Sequence, residues 1–129
     1  MFSLSAHLVF VPKYRKKIIT ARVFVVLKAS WEETCKRFGC VLREAGWEAD
    51  HVHLLVDYPP KVSLSALVNS LKGGSSHRLR GERLAEVEHK LWGSHFWSPS
   101  YCAVSCGGAP LETVRRYVEN QRGGASSPP

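Results

Sequence analysis

Residues 48–60, EADHVHLLVDYPP, contain the alternating pattern that decides the fold. Between His51 and Asp57 polar and apolar side chains largely alternate, which is typical of a half-buried β-strand. Side chains two residues apart on a strand project from the same face. His51 and His53 are therefore expected on one face, and the residues that face the core are Val52, Leu54 and Val56.

Short apolar runs on either side of this strand predict further strands. They cover residues 6–11, 40–45 and 101–105, and each suits a pleated surface that is buried on at least one face. Residues 46–50 separate the second of these runs from His51 and predict the turn of a hairpin. These strands together predict one antiparallel sheet.

Apolar residues at helical spacing predict the helices between these strands. Thr20 can cap the first helix, whose apolar stripe continues until Gly39 ends it. Ser63 can cap the second helix, which we expect Gly73 and Gly74 to weaken.

The C-terminal part of the sequence predicts further helical segments. Residues 82–90 form a charged stretch that favours a helix, and Pro110 stands where a last helix would begin. That helix would end at Gly123 and Gly124. The order strand, helix, strand, strand, helix, strand, helix predicts an α+β, ferredoxin-like fold, in which helices cover one face of a four-stranded antiparallel sheet.

Length and composition predict one basic domain. The 129 residues suit a single core, which we place at residues 1–122, with residues 123–129 as a flexible tail. The formal net charge of +7 favours nucleic acid as a partner, although many basic domains bind none. The sequence contains no apolar run of the roughly 20 residues that a membrane span needs, so we expect a cytoplasmic protein without membrane contact.

The cysteines are expected to be free thiols. Their spacings do not match the paired ligands of common zinc sites, and disulfides are rare in cytoplasmic proteins. They are Cys35, Cys40, Cys102 and Cys106.

Two pairs of residues carry candidate chemistry. His51 and His53 can hold a divalent ion through ring nitrogens, although such a triplet alone is also common on surface strands. Tyr117 and Gln121 are four apart on the predicted last helix and therefore share a face. Tyr117 could equally be an ordinary docking residue of that helix. His7 could face the same cleft as the histidine pair, but it is left out of the metal set as a structural residue.

Four blocks of the sequence resemble, in order, the single-tyrosine HUH transposases of the insertion-sequence 200/605 family. The blocks cover nearly the whole chain, and their most specific elements are the His-hydrophobic-His triplet and the string YVENQ over residues 117–121. The blocks are HLVFVPKYRKKII (residues 7–19), EADHVHLLVDYPP (48–60), SLSALVNSLKGGSSHRLR (63–80) and FWSPSYCAVSCGGAPLETVRRYVENQ (96–121).

The resemblance implies a homodimeric transposase that binds DNA hairpins at the ends of a mobile element and moves the element as single-stranded DNA. It implies that Tyr117 is the nucleophile and forms a 5′-phosphotyrosine. It further implies that His51, His53 and Gln121 bind Mg²⁺ or Mn²⁺, and that no nucleotide cofactor is needed. Cys102, where relatives commonly carry an aromatic or aliphatic residue, and the short tail depart from the family pattern.

Basic residues in two places are candidates for DNA contact. We expect phosphate contacts from both groups and base stacking from Tyr14. The candidates are Lys13, Arg15, Lys16, Lys17, Lys72, Arg78 and Arg80. Two other functions stay open, namely a non-catalytic RNA- or DNA-binding protein of the same fold and a host-adopted relative that processes palindromes.

Overall fold

The structure is a computed structural model that describes residues 4–85, 87 and 96–105, the last six of them by their backbone. Within these residues, strands and helices follow one another in the predicted order. The elements are β1 (Leu4–Pro12), a short 3-10 turn (Lys13–Arg15), α1 (Ala21–Arg37), β2 (Val41–Glu48), β3 (His51–Tyr58), α2 (Leu64–Glu82) and β4 (Trp97–Ser105).

The strands form one four-stranded sheet in the order β2-β3-β1-β4. Each neighbouring pair is antiparallel, and β3 and β1 occupy the two central positions. This order follows from two split β-α-β units and confirms the predicted ferredoxin-like α+β fold.

The central strands bury one face against the helices. Alternate residues of β1 and β3 are fully buried, and the ring of Phe10 on β1 contacts Trp31 of α1 edge-on at 6.4 Å between centroids. Because side chains alternate along a strand, the residues between them belong to the opposite face of the sheet. The fully buried residues are Ala6, Leu8, Phe10, Val52, Leu54 and Val56.

Both predicted helix caps are confirmed. The Thr20 hydroxyl accepts a hydrogen bond from the backbone N–H of Val23 at 3.2 Å, and the Ser63 hydroxyl accepts one from Ala66 at 3.2 Å. Each bond satisfies one of the amide groups that the first turn of a helix leaves unpaired. Gly39, just after α1, has a φ of +73°, which glycine adopts without steric cost.

The predicted turn over residues 46–50 is wrong in its length. Strand β2 continues to Glu48, which pairs with His51, so that only Ala49 and Asp50 make the turn. Glycine is disfavoured in strands, and this general tendency favours a turn at Gly46. In the structure Gly46 pairs with His53, and the contact between them explains the glycine.

The predicted weakening of α2 at Gly73 and Gly74 is also wrong. The helix continues through both glycines to Glu82 because the buried side chains Ser75 and Leu79 extend its core-facing stripe. Burial against the core outweighs the low helix propensity of glycine.

Several predictions concern parts of the chain beyond the described residues. The helix from Pro110, the tail over residues 123–129 and most of the stretch over residues 82–90 lie there.

Cys35 and Cys40 are buried free thiols, and burial raises the pKa of Cys35 to about 12. Among the residues that the structure describes, no helix combines the length and apolar character needed to cross a membrane.

We expect Gly73→Ala to stabilise the protein. A Cβ at this helical position meets no atom within 4 Å, so the change removes backbone entropy from the unfolded chain at no steric cost. Chemical denaturation should show an increase of about 0.5–1 kcal/mol in the free energy of unfolding. Gly39→Ala is the matched control and should destabilise, because its φ of +73° strains any residue with a Cβ. Destabilisation by Gly73→Ala would contradict the helical assignment at this glycine.

Candidate functional site

His51 and His53 lie side by side on the face of the sheet opposite α1 and α2. Their ring centroids are 6.4 Å apart, with the ring planes tilted by 35°. His51 is buried and His53 is half-buried. The predicted strand geometry is thus confirmed, and two imidazoles from one central strand lie close together near the β2–β3 turn.

Gly46 on β2 makes room for the ring of His53. The two residues are cross-strand partners, and a Cβ built on Gly46 would lie 2.6 Å from Cε1 of His53 and closer still to Nε2. Carbon atoms do not approach this closely without displacement, so any other residue at this position must move the ring. Sequence reasoning missed Gly46, because nothing in the sequence shows which residue it faces.

Asp50 holds the other imidazole from the hairpin turn. Its Oδ1 lies 3.0 Å from Nδ1 of His51. Burial alone would raise the pKa of the Asp50 carboxyl, but the hydrogen bond with His51 and the charge of Arg15 outweigh it and lower the pKa. An ionised carboxylate accepts hydrogen bonds, and a neutral imidazole that donates from Nδ1 carries its lone pair on Nε2.

His7 of β1 also belongs to this face. It is 2% exposed, and its ring centroid lies 5.5 Å from that of His53. Sequence reasoning left His7 out of the metal set, and the structure places it beside one of the two candidate ligands. Among the described residues, however, no group of three or more His, Cys, Asp or Glu side chains is arranged to hold an ion.

The chemistry of the donors fits a divalent ion that takes its remaining ligands from elsewhere. The backbone of Gly46 lies against the ring of His53, and the Asp50 carboxylate contacts the ring of His51. Outer-sphere groups orient metal ligands in the same way. Tyr117 and Gln121, the other predicted site residues, lie outside the described residues. The structure therefore brings together two of the four predicted residues of the site.

The basic loop after β1 lies next to the histidine pair. Tyr14 and Arg15 both have positive φ, at 63° and 51°, a conformation uncommon for residues other than glycine. The strained turn exposes 72% of Tyr14 and brings Nη2 of Arg15 to 3.4 Å from Oδ2 of Asp50. Strain of this kind is concentrated at functional positions. Lys13, Lys16 and Lys17 belong to the same loop.

The basic residues of α2 lie on the opposite side of the sheet. Nζ of Lys72 donates a hydrogen bond to the backbone oxygen of Ser98 at 2.6 Å and stands 5.9 Å from the centre of the Phe10 ring. Burial lowers the pKa of Lys72. Arg78 forms an ion pair with Glu33 at 2.7 Å, and Arg80 is exposed. The predicted DNA-contact residues thus form two groups, and the loop is the group beside the imidazoles.

Known proteins resemble this chain in sequence and in structure. The sequence profile of a family described as "Transposase IS200 like" matches residues 1–121. The ISDra2 transposase TnpA of Deinococcus radiodurans is 29% identical over 121 residues, which are 94% of this chain and 86% of the relative. The transposase for insertion sequence element IS200 of Salmonella typhimurium is 30% identical over 115 residues, or 89% of this chain and 74% of the relative.

Two solved structures share the fold. A protein from Deinococcus radiodurans R1 assigned as a transposase superimposes with a TM-score of 0.75 at 28% identity, over 94% of this chain and 92% of its own. A REP-associated tyrosine transposase bound to a REP hairpin superimposes with a TM-score of 0.63, over 98% of this chain and 72% of its own. At 11% identity the second likeness concerns the fold alone.

We expect Gly46→Ala to displace the ring of His53. The added methyl would overlap that ring, so the side chain must leave its position or the strands must separate locally. A crystal structure of the variant, or the imidazole resonances of His53 by NMR, would record the displacement. Gly73→Ala is the control, since its methyl meets no neighbouring atom and should leave His53 unchanged. An unmoved His53 ring in Gly46→Ala would refute the steric assignment.

Proposed function

The chain belongs to the family of IS200-like transposases, and from this premise we propose that it cuts and rejoins single-stranded DNA through Tyr117. The family match extends over residues 1–121 and so includes Tyr117 and Gln121. The observation that carries the proposal is the pair of imidazoles, His51 and His53, which lie together on the face of the sheet opposite α1 and α2.

A divalent ion, Mg²⁺ or Mn²⁺, is the proposed cofactor. His51, His53 and Gln121 would hold it, and the bound ion would withdraw charge from a phosphate oxygen and so lower the barrier to attack. Imidazole nitrogen suits Zn²⁺ by general ligand preference, whereas Mg²⁺ and Mn²⁺ more often take oxygen ligands. Mn²⁺, one of the two proposed ions, is used in the first assay.

Tyr117 is the proposed nucleophile. Its phenol oxygen attacks the phosphorus of a phosphodiester, and a new P–O bond to tyrosine forms as the bond to the 3′ oxygen breaks. The phenol proton leaves during the attack, because a phenol with a pKa near 10 is mostly protonated at neutral pH, and the departing 3′ oxygen gains a proton. The products are a 5′-phosphotyrosine and a free 3′-hydroxyl.

Rejoining is the same exchange in reverse. The 3′-hydroxyl of another strand attacks the phosphotyrosine, a new phosphodiester forms, and the phenol of Tyr117 is released with a proton. The covalent ester conserves the bond energy between the two steps. No nucleotide cofactor is therefore required.

DNA hairpins at the element ends are the proposed binding partner. Support comes from the formal charge of +7, from the strained basic loop beside the imidazoles, and from a fold shared with a tyrosine transposase bound to a REP hairpin. Tyr14 projects from this loop and offers an aromatic face to an unpaired base. By family resemblance the active unit is a homodimer.

The first test of the proposal is a covalent adduct assay. Wild-type protein incubated with single-stranded hairpin DNA and Mn²⁺ should give a protein–DNA adduct on a denaturing gel. Tyr117→Phe should bind the hairpin and give none, because the phenol oxygen is missing. Tyr58→Phe, which removes a phenol oxygen from the far end of β3, is the matched control and should form adduct as wild type does. Adduct from Tyr117→Phe would reject the nucleophile, and binding without any adduct in wild type would favour a non-catalytic nucleic-acid binder.

A second test concerns the basic loop. Replacing Lys16 and Lys17 by Gln should weaken hairpin binding and reduce the slope of log affinity against log salt by about 0.7 for each lost contact to a single strand. Fluorescence anisotropy over a series of salt concentrations measures both quantities. The same two changes made at Lys28 and Lys36 on α1 provide a charge-matched control. Equal slopes for the loop variant and wild type would exclude phosphate contacts from these lysines.

A further inference from the structure

The hairpin turn between β2 and β3 places a carboxylate directly against a candidate metal ligand. Oδ1 of Asp50 lies 3.0 Å from Nδ1 of His51, and Nη2 of Arg15 lies 3.4 Å from Oδ2 of the same carboxylate. Both oxygens of Asp50 are thus engaged by named partners. Arg15 of the basic loop contacts one oxygen of the carboxylate, and the other oxygen contacts the imidazole.

We propose that Asp50 is a positioning residue, which holds His51 with the proton on Nδ1 and so keeps Nε2 as the nitrogen that binds the ion. The inference rests on the metal-binding role proposed for His51. An imidazole without such a partner exchanges between two tautomers, and only one of them presents an Nε2 lone pair. A carboxylate on the other nitrogen fixes both the tautomer and the orientation of the ring.

Burial makes this contact stronger than an ordinary surface pair. The side chain of His51 is 7% exposed and that of Asp50 is 22% exposed, so water competes poorly for the hydrogen bond. The Arg15 side chain is 46% exposed, and its longer contact with Asp50 is correspondingly weaker. The carboxylate therefore acts mainly on the imidazole, and Arg15 limits the freedom of the carboxylate.

Asp57 lies on the same strand as His51, but its carboxylate is bound by other partners. Its Oδ1 accepts a hydrogen bond from the Ser5 hydroxyl at 2.6 Å, and its Oδ2 pairs with Arg43 at 2.8 Å. Asp57 lies at the other end of β3 from His51. It is therefore a matched control for removal of a partly buried, paired carboxylate.

The test compares Asp50→Asn with Asp57→Asn in the full chain. The amide keeps the size of the side chain and its suitability for a turn, but it has no charge and can donate to Nδ1 as well as accept from it. Long-range ¹H–¹⁵N correlation spectra at about pH 8, where imidazole is mostly neutral, report the tautomer of His51 without metal or DNA. Calorimetric titration with Mn²⁺ reports the affinity.

Wild type and Asp57→Asn should show His51 protonated on Nδ1. Asp50→Asn should show a mixture of tautomers and a Kd for Mn²⁺ weaker by about 10- to 100-fold, the usual effect of losing an outer-sphere partner. An unchanged tautomer in Asp50→Asn would overturn the inference, even if the melting temperature fell. Failure of the wild type to bind Mn²⁺ would count against the proposed metal site itself, and the tautomer spectra would still decide whether Asp50 positions His51.

Discussion

Alternation of side chains along β3 is the constraint on which both the core and the candidate site depend. Val52, Leu54 and Val56 are fully buried against the helices, so the residues between them must project from the other face. The burial that stabilises the sheet also fixes the orientation of His51 and His53. Burial of the alternate apolar residues, driven by the hydrophobic effect, therefore also determines the face on which the two imidazoles lie.

The basic residues of α2 and those of the loop after β1 have different surroundings. On the helix side, Lys72 and Arg78 are already engaged by groups of the protein, at Ser98 and Glu33. The loop after β1 carries an exposed aromatic ring and a strained backbone, and its Arg15 contacts Asp50 beside His51.

Local sequence rules predicted the parts of the fold that depend on local chemistry. The caps at Thr20 and Ser63 and the alternation of β3 were predictable because each involves residues within a few positions of one another. The length of the hairpin, the need for Gly46 and the contact of Asp50 with His51 depend on which residues face each other across strands or turns, which periodicity alone does not report. The roles proposed for Tyr117 and Gln121 rest on family resemblance, since an i, i+4 pair on a helix has many uses.

The turn of Ala49 and Asp50 is short enough to lock the pairing of its strands, with Glu48 opposite His51 and Gly46 opposite His53. One residue added to or removed from this turn would shift the register of β3 by one position, and the shifted pairing would turn the imidazoles towards the apolar interior and Val52, Leu54 and Val56 towards solvent. Apart from Gly46 and Asp50, this hairpin should therefore tolerate substitution better than a change in length. In a library of insertions and deletions, we expect length changes in this hairpin to abolish function more often than length changes in the basic loop.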